Sequence, residues 1–326
     1  MLNKLVYKKA NKEDLISVAK LFNEQVASLK IYKKLDPQIF KWKMCSQKEF
    51  DLNGTILAFN EKELVGFVIC TIRRENEGVI NNLFVKEEYR NQGIGETLLK
   101  EAEFYYKTKN IDDILFYGYL PIGYQWLVPN TRKHYHPCAP GVIVGSDLFD
   151  FLLSKNYSVK NYNDAFHLDL KKYTIPTQIE EIIEKNKKDG IDIEFYDKFR
   201  HKKLEEFMNY VKPSFKKVID ENLKLDNPKP FLIVSKNNEV KGWVGAIYNE
   251  KDGRGHIDGI EIHEDVKGRG LGKALFNVYV NESKKNKAKY MTFYTNRDNI
   301  ARNIYTSAGF EIVQSFAIME KKIQLK

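Results

Sequence analysis

The chain has 326 residues, enough for two ordinary domains, and 43% of them are hydrophobic, enough to fill two cores. Its formal net charge of +9 suits an anionic ligand, but Lys is scattered among Glu and Asp and no dense basic tract with interleaved aromatics occurs, so nucleic acid is not an expected partner. Three widely spaced cysteines (Cys45, Cys70, Cys138) argue against a disulfide framework, Met1 to Lys20 has no continuous apolar secretion core, and no uncharged apolar run approaches the ~18 residues of a membrane helix, so a cytoplasmic protein away from membranes is expected.

In chain order, Leu5-Val6-Tyr7 begins a strand. Asn11 to Leu21 is helical by the spacing of Leu15, Val18, Ala19 and Phe22. Thr55–Phe59 and Leu64–Ile69 predict a hairpin around Asn60-Glu61-Lys62-Glu63. Gly78 to Val85 is a further strand. A stretch rich in aromatics, Gly and Pro then spans Phe116 to Asp147, with Tyr117, Tyr119, Tyr124, Trp126 and Tyr135 beside Pro121, Pro129, Pro137 and Pro140. Ser146 to Tyr157 reads as a helix and its end, and Ala165 to Leu170 as a strand. A helix from Thr177, taken as its N-cap, to Lys188 stops at Gly190. Ile191 to Tyr196 is a strand, Lys202 to Val211 a helix, and Phe231–Val234 with Val240–Ile247 a second hairpin. Gly255 to Ile262 and Tyr290 to Tyr294 are strands, and a last helix runs from about Asn299 to Gly309.

Two segments repeat one pattern. Asn82 to Gly95 and Gly259 to Gly272 each give a short apolar strand, a charged turn, a basic residue (Arg90, Lys267), two spaced glycines and a helix with an apolar face. Gly95 and Gly272 lie 177 residues apart, and so do Gly78 and Gly255. Two markers in one register predict a duplicated domain, 1–174 and 175–326. Glycines let backbone N–H groups approach an anion, and the helix aims its N-terminal dipole at the same point. Each segment is therefore a candidate diphosphate cradle.

This pattern resembles the acetyl-CoA signature of the GCN5-related N-acetyltransferases (GNAT), basic-x-x-Gly-x-Gly/Ala after a strand. The resemblance implies an α/β fold with a mixed sheet, here as two tandem GNAT-fold domains. It implies acetyl-CoA as cosubstrate and a small-molecule amine as acceptor. Carried over, the cofactor contacts are Ile260, Ile262, Lys267, Gly268, Arg269, Gly270, Leu271 and Gly272, with Asn299, and in the first half Arg90, Gly93 and Gly95.

The segment from Asn299 through Ala301 and Tyr305 to Gly309-Phe310 is similar to the family's second signature. In relatives the matching tyrosine protonates the leaving thiolate, so the resemblance assigns that role to Tyr305. The first half lacks this set: Phe151 or Leu152 replaces the tyrosine and Asn156-Tyr157 replaces Gly-Phe. It reads as a degenerate partner domain. Asp258 and Glu261 are the carboxylates nearest the second cradle and the candidate bases. Strand alternation puts them on opposite faces unless a bulge intervenes. Asp258 is preferred, because His256 to Ile262 resembles the strand of glucosamine-phosphate acetyltransferases. His256 and His263 are runners-up, and hydrogen-bonding or surface roles fit both. The expected oxyanion donor is a bulged N–H near Glu261-Ile262.

His134-Tyr135-His136-Pro137-Cys138 lacks a fourth ligand at matching spacing, so no metal is expected. The aromatic stretch is either a core plug or a wall of the acceptor site. With Pro140-Gly141-Val142 it resembles bacterial tandem acetyltransferases of glucosamine and glucosaminides, which makes an amino sugar the expected acceptor. An aminoglycoside, a polyamine or a peptide N-terminus remains an alternative, as does a non-catalytic acyl-CoA sensor. Oligomeric state is left open.

Overall fold

The computed structural model describes residues 5–29, 31–74, 77–117 and 123–325. Tyr119 and Pro121 of the aromatic stretch lie outside the described residues. The first half opens with β1 (Leu5–Lys9), α1 (Asp14–Leu29) and α2 (Pro37–Cys45). Asn11 Oδ1 accepts from the N–H groups of Glu13 and Asp14, and Asp36 caps α2 ahead of Pro37. β2 (Phe50–Asn60) and β3 (Glu63–Arg74) form the expected hairpin, followed by β4 (Glu77–Val85), α3 (Ile94–Thr108) and β5 (Asp113–Phe116). The aromatic stretch holds three two-residue strands, β6 (Trp126–Leu127), β7 (Tyr135–His136) and β8 (Val142–Ile143). α4 (Asp147–Ser154) and β9 (Ser158–Asp169) end the half.

The second half runs α5 (Thr177–Lys188), β10 (Ile191–Phe195), α6 (Leu204–Tyr210), α7 (Pro213–Leu223), β11 (Leu232–Lys236) and β12 (Glu239–Gly245). It continues with β13 (Arg254–Gly255), β14 (Gly259–Ile262), α8 (Leu271–Lys285), β15 (Tyr290–Asn296), α9 (Arg302–Ser307) and β16 (Glu311–Lys322). Three details depart from the sequence reading. Pro176, not Thr177, takes the N-cap of α5, without a side-chain bond. The expected strand Gly255 to Ile262 is broken at 256–258. The last helix is shorter than expected, beginning at Arg302 rather than near Asn299.

The chain divides into two compact units, 1–164 with 314–326, and 165–313. These differ from the duplicated halves by one strand each. β9 passes its last residues to the second unit, where the Phe166 carbonyl accepts from Thr292 Oγ1 at 2.7 Å. β16 belongs with the first unit, where Met319 pairs with Phe116 and Lys322 with Asp113, antiparallel to β5. Phe316, Ala317 and Met319 of β16 are fully buried there. The first unit's sheet runs β1-β2-β3-β4-β5-β16. α3 covers it with Leu98, Leu99, Ala102, Tyr105 and Tyr106, the helical spacing of one apolar face. In the second unit the sheet is β10-β11-β12-β14. α8 covers one face with Leu271, Leu275 and Tyr279, and α6 and α7 cover the other around Phe207, Ile219 and Trp243.

Candidate active site

The second cradle is assembled by a 3-10 turn, Glu264–Val266, and the N-terminus of α8. Gly268 and Gly270 both sit in the left-handed region, at φ 77° and 76°. A Cβ at Gly268 would have nothing within 4 Å, so that side of the loop is open to a ligand. At Gly270 a Cβ would come within 3.1 Å of the Ile182 methyl groups of α5. α5 also holds the loop through Asn186, whose Nδ2 donates to the Arg269 carbonyl at 3.2 Å, and through Asp189, paired with the Arg269 guanidinium at 2.7 Å. The N–H of Ala274 bonds the Gly270 carbonyl at 3.1 Å. The N–H groups of Leu271, Gly272 and Lys273 precede the first intrahelical donor and point out of the helix end, where they favour an anion. Lys267 donates to the Tyr210 hydroxyl at 3.0 Å, which holds its ammonium charged and raises its pKa.

Next to the cradle the strands part. β13 pairs in parallel with β15 only through Arg254–Tyr290 and Gly255–Met291, and β14 is the edge of its own sheet. His263 N–H bonds the Lys241 carbonyl at 2.8 Å, and Glu261 faces Trp243. In an antiparallel ladder bonded pairs alternate. The backbone N–H and C=O groups of Ile260 and Ile262 therefore face the open edge. Their side chains pack toward α8, Ile262 lying 3.7 Å from the position of a Gly272 Cβ.

The break at 256–258 lies between two pairs in one register, Asn249–Gly255 and Gly245–Gly259, with three residues on each strand. His256 N–H bonds the Tyr248 carbonyl, whereas Asp258 N–H bonds that of Gly245 rather than Ala246. The regular ladder lapses there, and strict alternation of faces lapses with it. Asp258 lines a small cavity with Trp243, Phe231 and Ile219, and Glu261 is the cross-strand partner of Trp243. Asp258 and Glu261 thus share the face covered by α7. The Asp258 side chain is tied twice: Oδ2 accepts from Ala246 N–H at 2.6 Å and Oδ1 lies 2.8 Å from His256 Nε2. Glu261 is half-buried. His263 packs tilted against Tyr210, with ring centroids at 4.4 Å, and accepts from Asp265 N–H, a local packing role.

Tyr305 is 8% exposed. Its ring is boxed by Phe293, Phe276 and Phe166, with centroids at 4.7, 5.1 and 5.6 Å. Burial pushes its pKa up, so the hydroxyl keeps its proton at neutral pH. Asn299 Oδ1 accepts from Ala301 N–H at 2.9 Å and its Nδ2 donates to Thr295 Oγ1 at 2.6 Å, so the side chain shapes the turn into α9. Gly309, at φ 80°, closes the helix.

The first unit supplies the counterpart of every part. Its loop has the same backbone, with Asn91 at φ 58° and Gly93 at φ 81°. Arg90, however, is spent locally, its Nε donating to the Val85 carbonyl at 3.2 Å and its guanidinium paired with Asp147 at 3.3 Å. Gly95 faces Phe151 as Gly272 faces Ile304. Tyr157 N–H bonds the Leu152 carbonyl as Phe310 N–H bonds that of Tyr305. Leu152 therefore stands where the second unit has Tyr305. Asn81 is the extra residue of a bulge between Asn82 and Ile80, and in the 177 register it matches Asp258, while Val79 matches His256.

The aromatic stretch fills the first unit. Tyr124 stacks on Phe22 at 4.7 Å and its hydroxyl accepts from Asn82 Nδ2 at 2.8 Å. Trp126 is 2% exposed, stacks on His136 at 4.9 Å and donates to the Cys138 carbonyl at 2.9 Å. It is a core plug there. Among the described residues no group of three or more His, Cys, Asp or Glu is placed to hold a metal ion, and no helix is long and apolar enough to cross a membrane. Tyr210, Tyr248 and Glu250 were missed in sequence. The 177 register holds a signal for Glu250: Arg73 and Glu77, an ion pair at 3.8 Å, match Glu250 and Arg254, paired at 3.2 Å with the charges exchanged.

A glycine loop at a helix N-terminus, beside an edge strand that parts from its sheet at a break, is the arrangement of the GNAT fold. The model of the acetyltransferase (GNAT) family matches residues 17–117 and 194–310, and the chain belongs to that family. It is an N-acetyltransferase by class. An uncharacterized N-acetyltransferase of Archaeoglobus fulgidus is 32% identical over 113 residues, 32% of this chain and 74% of that one. Among solved structures, a GCN5-related glucosamine N-acetyltransferase region of a fungal multi-domain GH3 β-N-acetylglucosaminidase superposes with a TM-score of 0.65 at 14% identity over 97% of this chain. This chain spans 38% of that fungal chain. A GCN5-related N-acetyltransferase of Sphaerobacter thermophilus gives 0.63 at 12% identity over 98% of this chain and 96% of that one. A tandem GNAT protein from the clavulanic acid biosynthesis pathway gives 0.55 at 10% identity, covering 98% of both. At these identities the likeness is one of fold, and the last supports the tandem arrangement.

Proposed function

We propose that the second unit transfers the acetyl group of acetyl-CoA to the primary amine of an amino sugar, glucosamine or a glucosaminide. The observation that carries the catalytic part is the joint presence in one unit of the open glycine loop, the free edge of β14, a boxed Tyr305 and a carboxylate at the strand break. The open space at Gly268, the N–H groups of Leu271 to Lys273 and the nearby Lys267 and Arg269 fit a diphosphate. The edge groups of Ile260 and Ile262 fit the amide-bearing arm of coenzyme A. Bound there, acetyl-CoA supplies the acetyl group as a thioester.

Asp258 accepts the proton that the amine gives up, with Glu261 on the same face as the alternative base. A backbone N–H at the break or the edge of β14 supports the oxyanion as the C–N bond forms. The C–S bond breaks and Tyr305 gives its proton to the sulfur. Asn299 acts indirectly, by starting the helix that carries Tyr305. The amino-sugar reading is supported by the half-buried Phe215 ring over Gly259, on the strand that carries the carboxylates, a surface that suits a sugar ring. The likeness to the fungal glucosamine N-acetyltransferase region agrees with it. The first unit is read as the degenerate copy of a duplication, 1–174 against 175–326.

Thiol release from acetyl-CoA tests this with glucosamine, chitosan oligomers, an aminoglycoside, spermidine and a lysine peptide. Turnover confined to the glucosamine compounds is expected. Turnover of spermidine or the peptide alone would move the acceptor to another amine class. Tight acetyl-CoA binding with no turnover would favour a sensor.

A further inference from the structure

A chain of charged groups stands behind Asp258. Arg254 Nη2 donates to Glu250 Oε1 at 3.2 Å. The same oxygen lies 3.0 Å from His256 Nδ1, and His256 Nε2 lies 2.8 Å from Asp258 Oδ1. Both ring nitrogens face carboxylates. The Tyr248 ring stacks on the imidazole at 4.2 Å, and the Lys229 ammonium sits 3.4 Å from the Tyr248 centroid. The Tyr279 hydroxyl donates to the His256 carbonyl. The ring is therefore held at both ends, over one face and through its own backbone.

The first unit acts as an internal control. At the matching positions its strand is also irregular, and it has Val79 and Asn81 in place of His256 and Asp258. There Thr71 Oγ1 donates to Asn81 Oδ1 at 2.9 Å. An irregular strand at this place thus needs no imidazole and no carboxylate. The Glu250–His256–Asp258 chain occurs in the unit that also holds Tyr305.

We propose that His256 is a positioning residue for acetyl transfer: held by Glu250, it fixes the Asp258 carboxylate in the orientation in which its remaining lone pairs meet the amine proton. This rests on the reading of Asp258 as base. A carboxylate has about four lone-pair sites, and two accepted bonds leave room for the proton in flight. That proton passes from nitrogen to Asp258 as the C–N bond forms, and the one on Tyr305 passes to sulfur as the C–S bond breaks. His256 touches neither reacting atom.

The test compares His256→Val, the first unit's residue, with His256→Gln, which keeps an N–H donor, and with Asp258→Asn. Each is assayed by thiol release with the amine of the panel that the wild-type protein turns over fastest. Acetyl-CoA affinity and thermal midpoint are measured in parallel. His256→Val is expected to lower kcat by ~100-fold, the scale of a misplacement of about 1 Å, with acetyl-CoA affinity unchanged. His256→Gln is expected to recover most of that loss, which a merely structural role would not produce. If His256→Val keeps wild-type kcat while Asp258→Asn is inactive, the positioning role falls and Asp258 stands. If Asp258→Asn is fully active, the base assignment falls and the positioning role with it. Should His256→Val fail to fold, Glu250→Gln decides: a fall in kcat at unchanged acetyl-CoA affinity supports the role, and an unchanged kcat overturns it.

Discussion

The two units are copies of one plan, and they differ where the chemistry lies. Both loops adopt left-handed residues at the same pair of positions, both strands are irregular at matching places, and both last helices close with a left-handed residue, Asn156 or Gly309. In the second unit the three positions to which acetyl transfer is assigned by proposal, two directly and one by positioning, are Asp258, Tyr305 and His256. The first has Asn81, Leu152 and Val79 at the matching positions. The first also keeps β4 paired with β5 over four residues, Glu77 to Ile80, where β13 and β15 manage two. Tyr124 and Trp126 then fill its interior. The comparison teaches that the cradle backbone outlasts the catalytic side chains, because a helix N-terminus and two αL positions are set by local geometry that little else disturbs.

Replacing Tyr305 by Phe attacks this contrast most directly. A fall of ~10²–10⁴-fold in kcat is expected with acetyl-CoA affinity retained, the usual range for losing a positioned acid. Because burial raises the Tyr305 pKa, its alkaline loss of activity should lie above the ordinary tyrosine value of about 10. Thiol-release rates across pH check both statements, and an unchanged kcat in Tyr305→Phe would remove the acid from the mechanism.

Trp126→Ala sharpens the contrast from the other side. As a buried plug of the first unit it should cost about 3–5 kcal/mol of stability, read by denaturant unfolding. The acceptor KM below the unfolding range should stay as in wild type. A raised KM with normal stability would make the stretch an acceptor wall after all.

Gly268 offers a smaller and cleaner effect than Gly270, where any side chain meets Ile182. Gly268→Asn copies Asn91 and should leave the fold and acetyl-CoA binding nearly intact. Gly268→Asp sets a carboxylate beside the diphosphate and should weaken binding by tenfold or so, about 1.4 kcal/mol. Calorimetric titration of both variants checks this, and equal affinities would displace the cradle.

The smallest effect concerns Glu194, a strand residue of the second unit. Burial raises its pKa, but hydrogen bonds from Ser235, His201 and Arg200 outweigh that and leave it below the ordinary value. A carboxylate depressed in the folded state contributes stability above its unfolded pKa of about 4.3, and that stability is lost as pH falls through the folded value. Glu194→Gln should flatten the acid side of the stability curve. An unchanged acid slope would show the carboxylate is not held.

Much of this was legible in the chain. The glycines at 93, 95, 268, 270 and 272 announced both loops because their roles are decided by neighbours two or three residues away. The spacing of Ala301, Tyr305 and Gly309 announced the last helix for the same reason. The face on which Asp258 lies was not legible, since the ladder lapses over 256–258 and no local propensity marks that break. For Asn299 the family pattern gave a cofactor contact, and its local bonds to Ala301 N–H and Thr295 Oγ1, which shape the turn into α9, were not read from the chain.

By itself the sequence determined a duplicated α/β chain, the two cradles, the loss of the tyrosine from the first half and the family. Tertiary structure alone decided which strand completes which unit. β9 and β16 are both 12-residue strands with a run of buried residues near the middle, and where each pairs depends on partners more than a hundred residues away. It also brought Glu250 to His256 and His256 to Asp258, contacts at a strand break that the 177 register marks only through the charged pair at Glu250 and Arg254.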